Sequence, residues 1–375
     1  MIKPLEDILI VDFTQFLSGP SATLRLQDLG ARVIKIEHHE KGDLCRSIYA
    51  SHLQIGEETA FFQAINRGKE SICANLKNEA ELNFIYKIIA KADIVVHNFR
   101  PNVMERLGLS FDGVKKVNKN IIYAQISGYG NEGPWQDKPG QDLLLQGLSG
   151  LSWLSGQDND GPVPMGVAVA DIFAGAQLVQ GILAALLNET ATLVEVSMLE
   201  AMLDFQFEPL TLFYQDYETI SRGNVNAAHA LVAAPYGLYK TTNGYLALAM
   251  GAIPRLGVLL SCKPLLSYVD SATWFAYRDE IKAILSKHLS TQSSEYWLAI
   301  LEPADIWCAN VFNWQQLVEH DAFKVLDMLQ TVKGKQGDEY ITTRCPIRID
   351  EQILKANLAA PSLGQHQLKA LREFF

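Results

Sequence analysis

The sequence lacks the features of membrane, secreted and zinc-binding proteins. Its longest apolar run, 172–187, is too short to span a bilayer and contains Gln177 and Gln180. The first residues offer only a short apolar piece interrupted by acids, unlike a signal peptide. The five cysteines are scattered and form no C-x-x-C pair, a usage typical of reduced thiols. We therefore expect a cytoplasmic protein that binds no metal.

Positive charge is also scarce. In 375 residues, 32 Lys and Arg stand against 42 Asp and Glu, which gives a net charge of -10. Such a chain is repelled by nucleic acid and by anionic lipid, so we expect neither as a partner. A local basic pocket for an anionic ligand remains open. The length favours two domains, and the composition is that of a globular protein.

Glycine-rich phosphate loops are missing as well. The first predicted strand is followed by QFLSGPSAT, where Gly19 stands alone and a dinucleotide fingerprint needs three glycines. There is no G-x-S-x-G elbow and no Walker A loop. The pattern thus argues against an NAD-dependent dehydrogenase, and Glu37, at the end of the second strand, is expected to lie in solvent. We expect His38 and His39 to lie in a solvated loop, and His97 to be packed or partly exposed within a strand.

Strands and helices alternate through the first part of the chain. Apolar runs predict strands at 8–14, 32–37, 93–99 and 120–130. Helical patterns lie at 19–31 and 80–92. This order predicts an α/β fold, a Rossmann-like parallel sheet with crossover helices.

The second half of the chain changes character. After a helix from Asp171 and a strand at 192–199, Asn243-Gly244 predicts a hairpin within 234–250. Helical periodicity returns at 271–300, and a short helix ends the sequence. We predict a large Rossmann-like domain formed by 1–220 and 326–375, and a small α+β domain at 225–325.

Two sets of polar residues suggest chemistry. Asp171 opens a long apolar helix, and the pattern alone favours a helix N-cap. A carboxylate there is stabilised as the anion, so it could also attack an activated carbonyl. The small residues around it leave space for a ligand: Gly166, Ala168, Ala170, Ala174 and Gly175.

Two arginines follow the strand at 93–99. Pro101 can open a helix there, which would put Arg100 and Arg106 near a helix N-terminus, a favourable anion site. Two surface arginines explain the same pattern, and the residues alone do not separate these alternatives.

Longer motifs in the chain resemble those of one family. They are VDFTQFLSGP (11–20), LGARVIKIE (29–37), GD (42–43) before Arg46, NRGKESICANLK (66–77), ADIVVHNFRPNVMERLG (92–108), SGYGNEGPW (127–135), VEVSMLEAM (194–202), RGN (222–224), APYGLYKTTNGYLALAMG (234–251) and APSLGQH (360–366). In order and spacing they resemble the class III CoA-transferases, the group of formyl-CoA transferase, carnitine CoA-transferase and the alpha-methylacyl-CoA racemases.

The resemblance implies a covalent acyl transfer. Its nucleophile matches Asp171, which would attack a donor acyl-CoA, form a mixed anhydride and then an aspartyl-CoA thioester, and pass CoA to an acceptor carboxylic acid. CoA is then a co-substrate, and no permanently bound cofactor is needed. The family forms an interlocked homodimer of two ring-like chains, with the active site between the large domain of one and the small domain of the other.

The family's CoA contacts fall on eleven positions of this sequence. They are Leu17, Ser18, His38, Ala74, Asn75, Leu76, Lys77, Asn98, Phe99, Arg106 and Gln141. Arg106 would pair with phosphate, and His38 stands where many members have a phosphate-binding arginine.

The same segments bear on which branch of the family this is. Gln141 stands where racemases have an acid/base histidine, and glutamine cannot shuttle a proton, which argues against racemisation. The glycine-rich loop of formyl-CoA transferases is missing at 249–257, so we expect an acid other than formate or oxalate. A racemase and a non-catalytic CoA-binding homologue remain the alternatives.

Overall fold

A computed structural model describes residues 3–47, 53–188, 190–215, 221–334, 337 and 339–375. Its strands are β1 Leu9–Asp12, β2 Arg32–Glu37, β3 Gln54–Ile55, β4 Glu58–Thr59, β5 Glu70–Cys73, β6 Ile94–His97, β7 Ile122–Ser127, β8 Thr192–Ser197, β9 Gly237–Lys240, β10 Tyr245–Leu248, β11 Cys308–Asn310, β12 Leu329–Lys333, β13 Glu339–Thr343, β14 Arg348–Ile349 and β15 Gln352–Ile353.

The helices alternate with these strands. They are α1 Ser18–Asp28, α2 Ala60–Asn66, α3 Glu79–Ile89, α4 Val103–Arg106, α5 Phe111–Val117, α6 Asp142–Leu148, α7 Val169–Ala185, α8 Met198–Phe205, α9 Phe207–Gln215, α10 Ile253–Leu259, α11 Arg278–Leu289, α12 Ser294–Leu301, α13 Trp314–Glu319, α14 Asp321–Val325 and α15 Gln367–Phe374. Among the described residues, no helix is both long enough and apolar enough to cross a membrane.

Six parallel strands form the central sheet, in the order β5-β2-β1-β6-β7-β8. The predicted Rossmann-like parallel sheet is confirmed. Strand order runs outward from β1 to β2 and β5 on one side and to β6, β7 and β8 on the other. The crevice between β1 and β6 is therefore a topological switch point, where open α/β sheets bind ligands at the carboxyl ends of their strands.

The inner strands of this sheet are buried on both faces, whereas the edge strand β8 is partly exposed. Val11 and Val95 belong to a core cluster with Ile85 and Ile88 of α3 and Phe374 of α15. Ile10, Ile94 and Val96 are also fully buried but lie outside that cluster. Since neighbouring residues of a strand point to opposite faces, they supply a core on the other face. This is why the runs read as continuously apolar.

The chain divides into two compact units, each with its own core. The first contains Met1–Leu145, Ala168–Phe205 and Val325–Phe375, and the second contains Gln146–Val167 and Gln206–Lys324. The predicted division into 1–220 with 326–375 and 225–325 stays a prediction. It differs from these two units in assigning 146–167 and 206–220 to the large domain.

The second unit is built around a small antiparallel sheet in the order β11-β10-β9. The predicted hairpin is confirmed: β9 and β10 pair, and the backbone N–H of Thr241 donates to the carbonyl of Gly244 at 2.9 Å. Buried apolar side chains of α10, α11 and α12 pack on this sheet, among them Leu256, Leu285 and Trp297.

Candidate active site

The loop that follows β1 is held in place by Asn98, which follows β6. The Asn98 side chain accepts from the backbone N–H of Gln15 at 2.8 Å and donates to the Gln15 carbonyl at 2.7 Å. The same amide nitrogen donates to the hydroxyl of Ser18 at 3.3 Å. Phe16, within this loop, has a positive φ of 63°. The two-sided bond from Asn98 therefore fixes a strained turn at the switch point between β1 and β6.

Buried charged side chains also hold the loop that follows β1. The Lys35 ammonium donates to the carbonyl of Thr14 at 2.6 Å and lies 2.8 Å from a carboxylate oxygen of Asp43. Burial by itself lowers the pKa of Lys35, but the charges of Asp43 and Asp12 outweigh it, and the pKa is raised. Lys69, 3.2 Å from Asp12, has its pKa lowered to about 8 because there burial outweighs the carboxylate. Sequence motifs located these residues, but only the fold shows that they form one network.

Glu37 is buried, contrary to the expectation that it lies in solvent. It is 4% exposed, and Arg46 donates to both of its carboxylate oxygens, at 2.7 and 2.8 Å. Ser71 donates to it at 2.6 Å. These hydrogen bonds outweigh the effect of burial, and the pKa of Glu37 is lowered. The prediction of a solvent-exposed Glu37 is wrong because the local sequence at a strand end does not show that Arg46, nine residues later, folds back onto it. Its role is to hold the 42–46 loop, whose Asp43 N–H also donates to it at 2.9 Å.

Asp171 lies in the first turn of α7, but it is not the cap. The helix begins at Val169 with Ala168 in the cap position, which has no side-chain cap hydrogen bond. Asp142, the first residue of α6, takes over that task from outside: its carboxylate accepts from the N–H of Ala170 at 2.7 Å and of Asp171 at 3.4 Å. Because a distant residue caps the helix, the Asp171 carboxyl is released for other contacts. The predicted N-cap is corrected, and sequence reasoning missed Asp142.

The electrostatic surroundings of Asp171 also differ from the prediction. Burial first, and then the charge of Asp142, raise its pKa to about 6, while hydrogen bonds from the hydroxyl and the backbone N–H of Ser18 oppose this rise. The stabilisation expected from a helix N-terminus is therefore outweighed. A carboxyl with this pKa is still about nine-tenths ionised at pH 7, and as the stronger base it is also the better nucleophile. Asp171 is half-buried, so it is not enclosed by packed hydrocarbon.

Three of the five small residues near Asp171 serve helix packing: Ala170, Ala174 and Gly175. Gly175 lies against α1: a Cβ there would lie 2.7 Å from the carbonyl oxygen of Ser18. Ala170 and Ala174 are fully buried. Small residues let α7 approach α1 closely, and this approach brings Asp171 to the N-terminus of α1. At these three positions the approaching group is α1 rather than a ligand, whereas Gly166 is exposed with nothing within 4 Å of an added Cβ, and the predicted ligand space there stays a prediction.

The structure places most of the predicted CoA contacts along one edge of the sheet. Residues 74–77 follow β5, His38 follows β2, Leu17 and Ser18 follow β1, and 98–99 follow β6. These four strands are neighbours in the parallel sheet, so their carboxyl ends meet at the same edge. Ala74 and Ser18 are buried, and the other members of the set on this edge are half-buried or exposed. Residues distant in sequence thus share one surface.

The two histidines after β2 have different surroundings. Both are exposed, as predicted, and His38 accepts a hydrogen bond from the backbone N–H of Glu40 at 3.2 Å. His39 lies 2.5 Å from Glu81, which in turn accepts from the backbone N–H of Asn75 at 2.7 Å. His39, rather than His38, is therefore linked to the 74–77 turn.

The predicted pair of arginines at a helix N-terminus is not observed. Asn102 takes a left-handed conformation with φ of 64°, so no helix can start at Pro101, and α4 begins only at Val103. Arg106 is the last residue of this four-residue helix. It is exposed at the C-terminal end of α4, so it does not combine with the free N–H groups of a helix N-terminus.

Gln141 directly precedes α6 and is exposed. Its backbone carbonyl accepts from the N–H of Leu145 at 3.1 Å, which begins the helix. Its neighbour Asp142 makes the contact with the first turn of α7 described above. Gln141 is therefore close to the site because it directly precedes Asp142, the residue that caps α7.

A cavity of about 360 Å³ lies beyond β6, on the side of the sheet towards β8. His97, Gln125 and Glu195 line it and stand in register on β6, β7 and β8. His97 is 5% exposed, and burial lowers its pKa to about 4, which keeps it neutral. The packed histidine that the sequence predicted is confirmed. Phe99 also lines this cavity, which borders the edge that carries the predicted CoA contacts.

The family model described as "CoA-transferase family III" matches residues 5–367. The chain belongs to this family. The predicted resemblance is confirmed over nearly the whole chain. The family III chain thus has a half-buried carboxyl at the junction of two helix N-termini, beside the switch point of its parallel sheet.

Individual relatives agree with the family assignment. The family III chain is 28% identical over 381 residues to "Succinate--glutarate CoA-transferase" of Agrobacterium fabrum, covering 99% of this chain and 95% of the relative. It is 31% identical over 314 residues to "Acetyl-CoA:oxalate CoA-transferase" of Acetobacter aceti, covering 81% and 79%. The crystal structure of a CAIB/BAIF family protein from Brucella suis superposes with a TM-score of 0.87 at 27% identity, with 100% of each chain covered.

Proposed function

We propose that this chain transfers CoA from a donor acyl-CoA to an acceptor carboxylic acid, with Asp171 as the nucleophile. The observation that carries the proposal is the position of that carboxyl. It is released from capping by Asp142, brought by close helix packing to the first turn of α1, and hydrogen-bonded there by Ser18.

The proposed reaction is a series of acyl transfers. The Asp171 carboxylate attacks the thioester carbonyl, the C–S bond breaks, and a mixed anhydride and a CoA thiolate result. The thiolate attacks the aspartyl carbonyl, releases the donor carboxylate and forms an aspartyl-CoA thioester. The acceptor carboxylate attacks that thioester, and the released thiolate then takes the acceptor acyl group and restores Asp171. Since every step exchanges one acyl bond for another, the reaction uses CoA as a co-substrate and needs no resident cofactor.

The surroundings of Asp171 suit this chemistry. A carboxylate is a weak nucleophile towards a thioester, so its position and the stabilisation of the developing oxyanion must supply much of the rate. A pKa raised to about 6 makes Asp171 more basic while leaving it ionised near neutral pH. Backbone N–H groups at the start of α1 are our candidates for oxyanion donors, because those of Ala170 and Asp171 on α7 already donate to Asp142.

The predicted CoA contacts complete the proposal. CoA would lie along the sheet edge with its pantetheine or adenine by Leu17 and Ser18, its adenine side by 74–77, and a phosphate near Arg106. Asn98 and Phe99 would contact it from the segment after β6. His38 is exposed where it could reach the same phosphates, and Gln141 would hydrogen-bond an acyl or CoA oxygen. These assignments rest on the family resemblance together with the shared edge.

The names of the relatives point to the substrates. Succinate, glutarate and oxalate, named in two of them, are all short dicarboxylic acids. We propose a short dicarboxylate as acceptor, and succinyl-CoA as the first donor to try. The prediction against oxalate, made from the 249–257 loop, stays a prediction. A racemase, the alternative, would exchange the alpha-proton of its acyl-CoA with solvent. That reaction needs a base, and Gln141, which stands where racemases have a histidine, cannot act as one.

A panel of acyl-CoA donors and carboxylate acceptors tests the proposal. Succinyl-CoA and acetyl-CoA are each incubated with isotopically labelled glutarate, oxalate and a monocarboxylate, and new acyl-CoA species are followed by mass spectrometry. We expect the label to appear in an acyl-CoA. Incubation in D₂O with a branched acyl-CoA tests the racemase alternative. Deuterium uptake without any exchange of CoA between acids would overturn the transferase.

We also propose that the protein acts as a homodimer in the cytoplasm. Helix α9 has no buried residue although it is largely apolar, with Phe207 70% and Tyr214 74% exposed. A face of this kind suits burial against a second copy of the chain. The five free cysteines fit a reducing compartment.

A further inference from the structure

The Ser18 hydroxyl lies between two polar side chains. It accepts a hydrogen bond from the Asn98 amide at 3.3 Å. On its other side α1 and α7 are in close contact, since a Cβ on Gly175, one turn beyond Asp171, would lie 2.7 Å from the Ser18 carbonyl oxygen. Hydrogen bonds from the hydroxyl and the backbone N–H of Ser18 lower the pKa of the Asp171 carboxyl. Ser18 is 3% exposed, so water does not compete freely for it. Ser18, Asn98 and Asp171 come from α1, from the segment after β6 and from α7.

We propose that Ser18 is a positioning residue for the nucleophile, and that Asn98 sets the direction in which its hydroxyl points. The inference rests on the proposed function of Asp171 as the attacking group. Ser18 and Asn98 would thus act on the carboxylate itself, in addition to any contact they make with CoA.

The direction follows from counting donors and acceptors. A serine hydroxyl has one proton to donate and two lone pairs to accept with. Asn98 is fixed by its two bonds to Gln15, which require its nitrogen to face the loop and therefore to act as a donor towards Ser18. With one lone pair occupied from that side, the Ser18 proton is left for Asp171. A hydroxyl held in this way presents one carboxylate oxygen with a fixed donor and leaves the other for attack.

The Ser18 hydroxyl lowers the pKa of Asp171, whereas burial and the neighbouring charge raise it. Asp142 on α6 is the charged group that raises the pKa of Asp171, together with burial. The remaining charged groups on the elements packed against α7 have partners of their own: Arg25 with Asp28, Glu195 with Asn131, Glu200 with Ser197, and Asp204 with Gln177. Removing the Ser18 hydroxyl therefore leaves burial and Asp142 less opposed.

The test is the variant Ser18→Ala, with Ser21→Ala as the matched control. Ser21 is one turn further along α1, and its hydroxyl donates to the Ser18 carbonyl at 2.8 Å without reaching Asp171. For each protein, kcat/KM for CoA exchange is measured from pH 4.5 to 8. The titration of the Asp171 carboxyl is followed independently by ¹³C NMR, with Asp171→Asn used to assign the signal.

The sign of the effect is fixed. The hydroxyl stabilises the ionised carboxyl, so its loss raises the pKa of Asp171, and the acid limb of kcat/KM moves to higher pH. We expect a move of about one pH unit, the size of one charge-assisted hydrogen bond, in both the rate profile and the NMR titration. Ser21→Ala should leave both unchanged.

The outcomes separate this inference from the function on which it rests. If Asp171→Asn abolishes exchange while Ser18→Ala leaves the acid limb and the NMR titration in place, Ser18 does not act on the nucleophile and the inference is wrong. If the NMR titration moves but exchange does not depend on Asp171, the proposed function fails and the contact alone stands. A shift of equal size in Ser21→Ala would also overturn the inference, because it would show a general change in α1.

Discussion

At the scale of single residues, the chemistry depends on what surrounds one carboxyl. The helix pattern alone assigned Asp171 a capping role and a stabilised anion, and the family resemblance added the role of nucleophile. The structure gives the capping to Asp142, which then adds a like charge beside Asp171. A helix position predicts only the local dipole, whereas burial and a second acid from another helix decide the net direction.

Removal of the proposed nucleophile gives the most direct prediction. Asp171→Ala should reduce CoA exchange by at least about a thousandfold, because the covalent intermediate cannot form. CoA affinity, measured by calorimetry, should change little. Asp321→Ala, whose carboxyl is 93% exposed on α14, is the matched control and should keep full activity. Exchange in the Asp171 variant at more than a tenth of the wild-type rate would contradict a covalent mechanism.

At the scale of elements, Asp142 has two effects on the start of α7. It caps the helix, and it places a negative charge beside Asp171. Asp142→Asn keeps an oxygen for the cap and removes the charge. The pKa of Asp171 should then fall from about 6, so the acid limb of kcat/KM moves to lower pH. Asp142→Ala should in addition destabilise the fold by about 1 kcal/mol, from loss of the cap. Both variants are compared by pH profiles and urea unfolding, and an acid limb that moves upward in Asp142→Asn would refute the assigned repulsion.

The packing of α7 on α1 is a second property of the elements. Gly175→Ala would press a methyl group to within 2.7 Å of the Ser18 carbonyl, in backbone that cannot yield easily. We expect a loss of about 1–3 kcal/mol in the free energy of unfolding, measured with urea. Gly147→Ala is the control: a Cβ there meets nothing within 4 Å, and the change should be neutral or slightly stabilising. Equal effects of the two substitutions would show that close packing does not explain Gly175.

At the scale of the whole molecule, the exposed face of α9 needs a partner. We expect the purified protein to have the mass of a dimer by light scattering. Phe207→Ser combined with Tyr214→Ser, which makes the face polar, should shift it towards the monomer and lower exchange activity. Trp314→Ser, at a residue 83% exposed on α13, removes as large an apolar side chain and should leave the dimer intact. A wild-type monomer with full activity would exclude the proposed assembly.

Much of this protein follows from the sequence alone. Its apolar runs determined the parallel sheet, because strands buried on both faces read as continuous hydrophobic segments. Motif order identified the family, and with it Asp171, although Asp171 by pattern was an ordinary helix start. The lack of a three-glycine fingerprint after β1 is the reason that the sequence argues against a dinucleotide site.

Only the tertiary structure decided how these residues act. The burial of Glu37 by Arg46, the capping of α7 by Asp142 and the contact of Ser18 with both Asn98 and Asp171 each join residues that local patterns treat separately. Hydrogen bonds and charges depend on distance in space, and a parallel sheet brings together the ends of strands that lie far apart in the chain. The sequence therefore named the proposed nucleophile, while the fold set its hydrogen-bond partners, its pKa and its exposure.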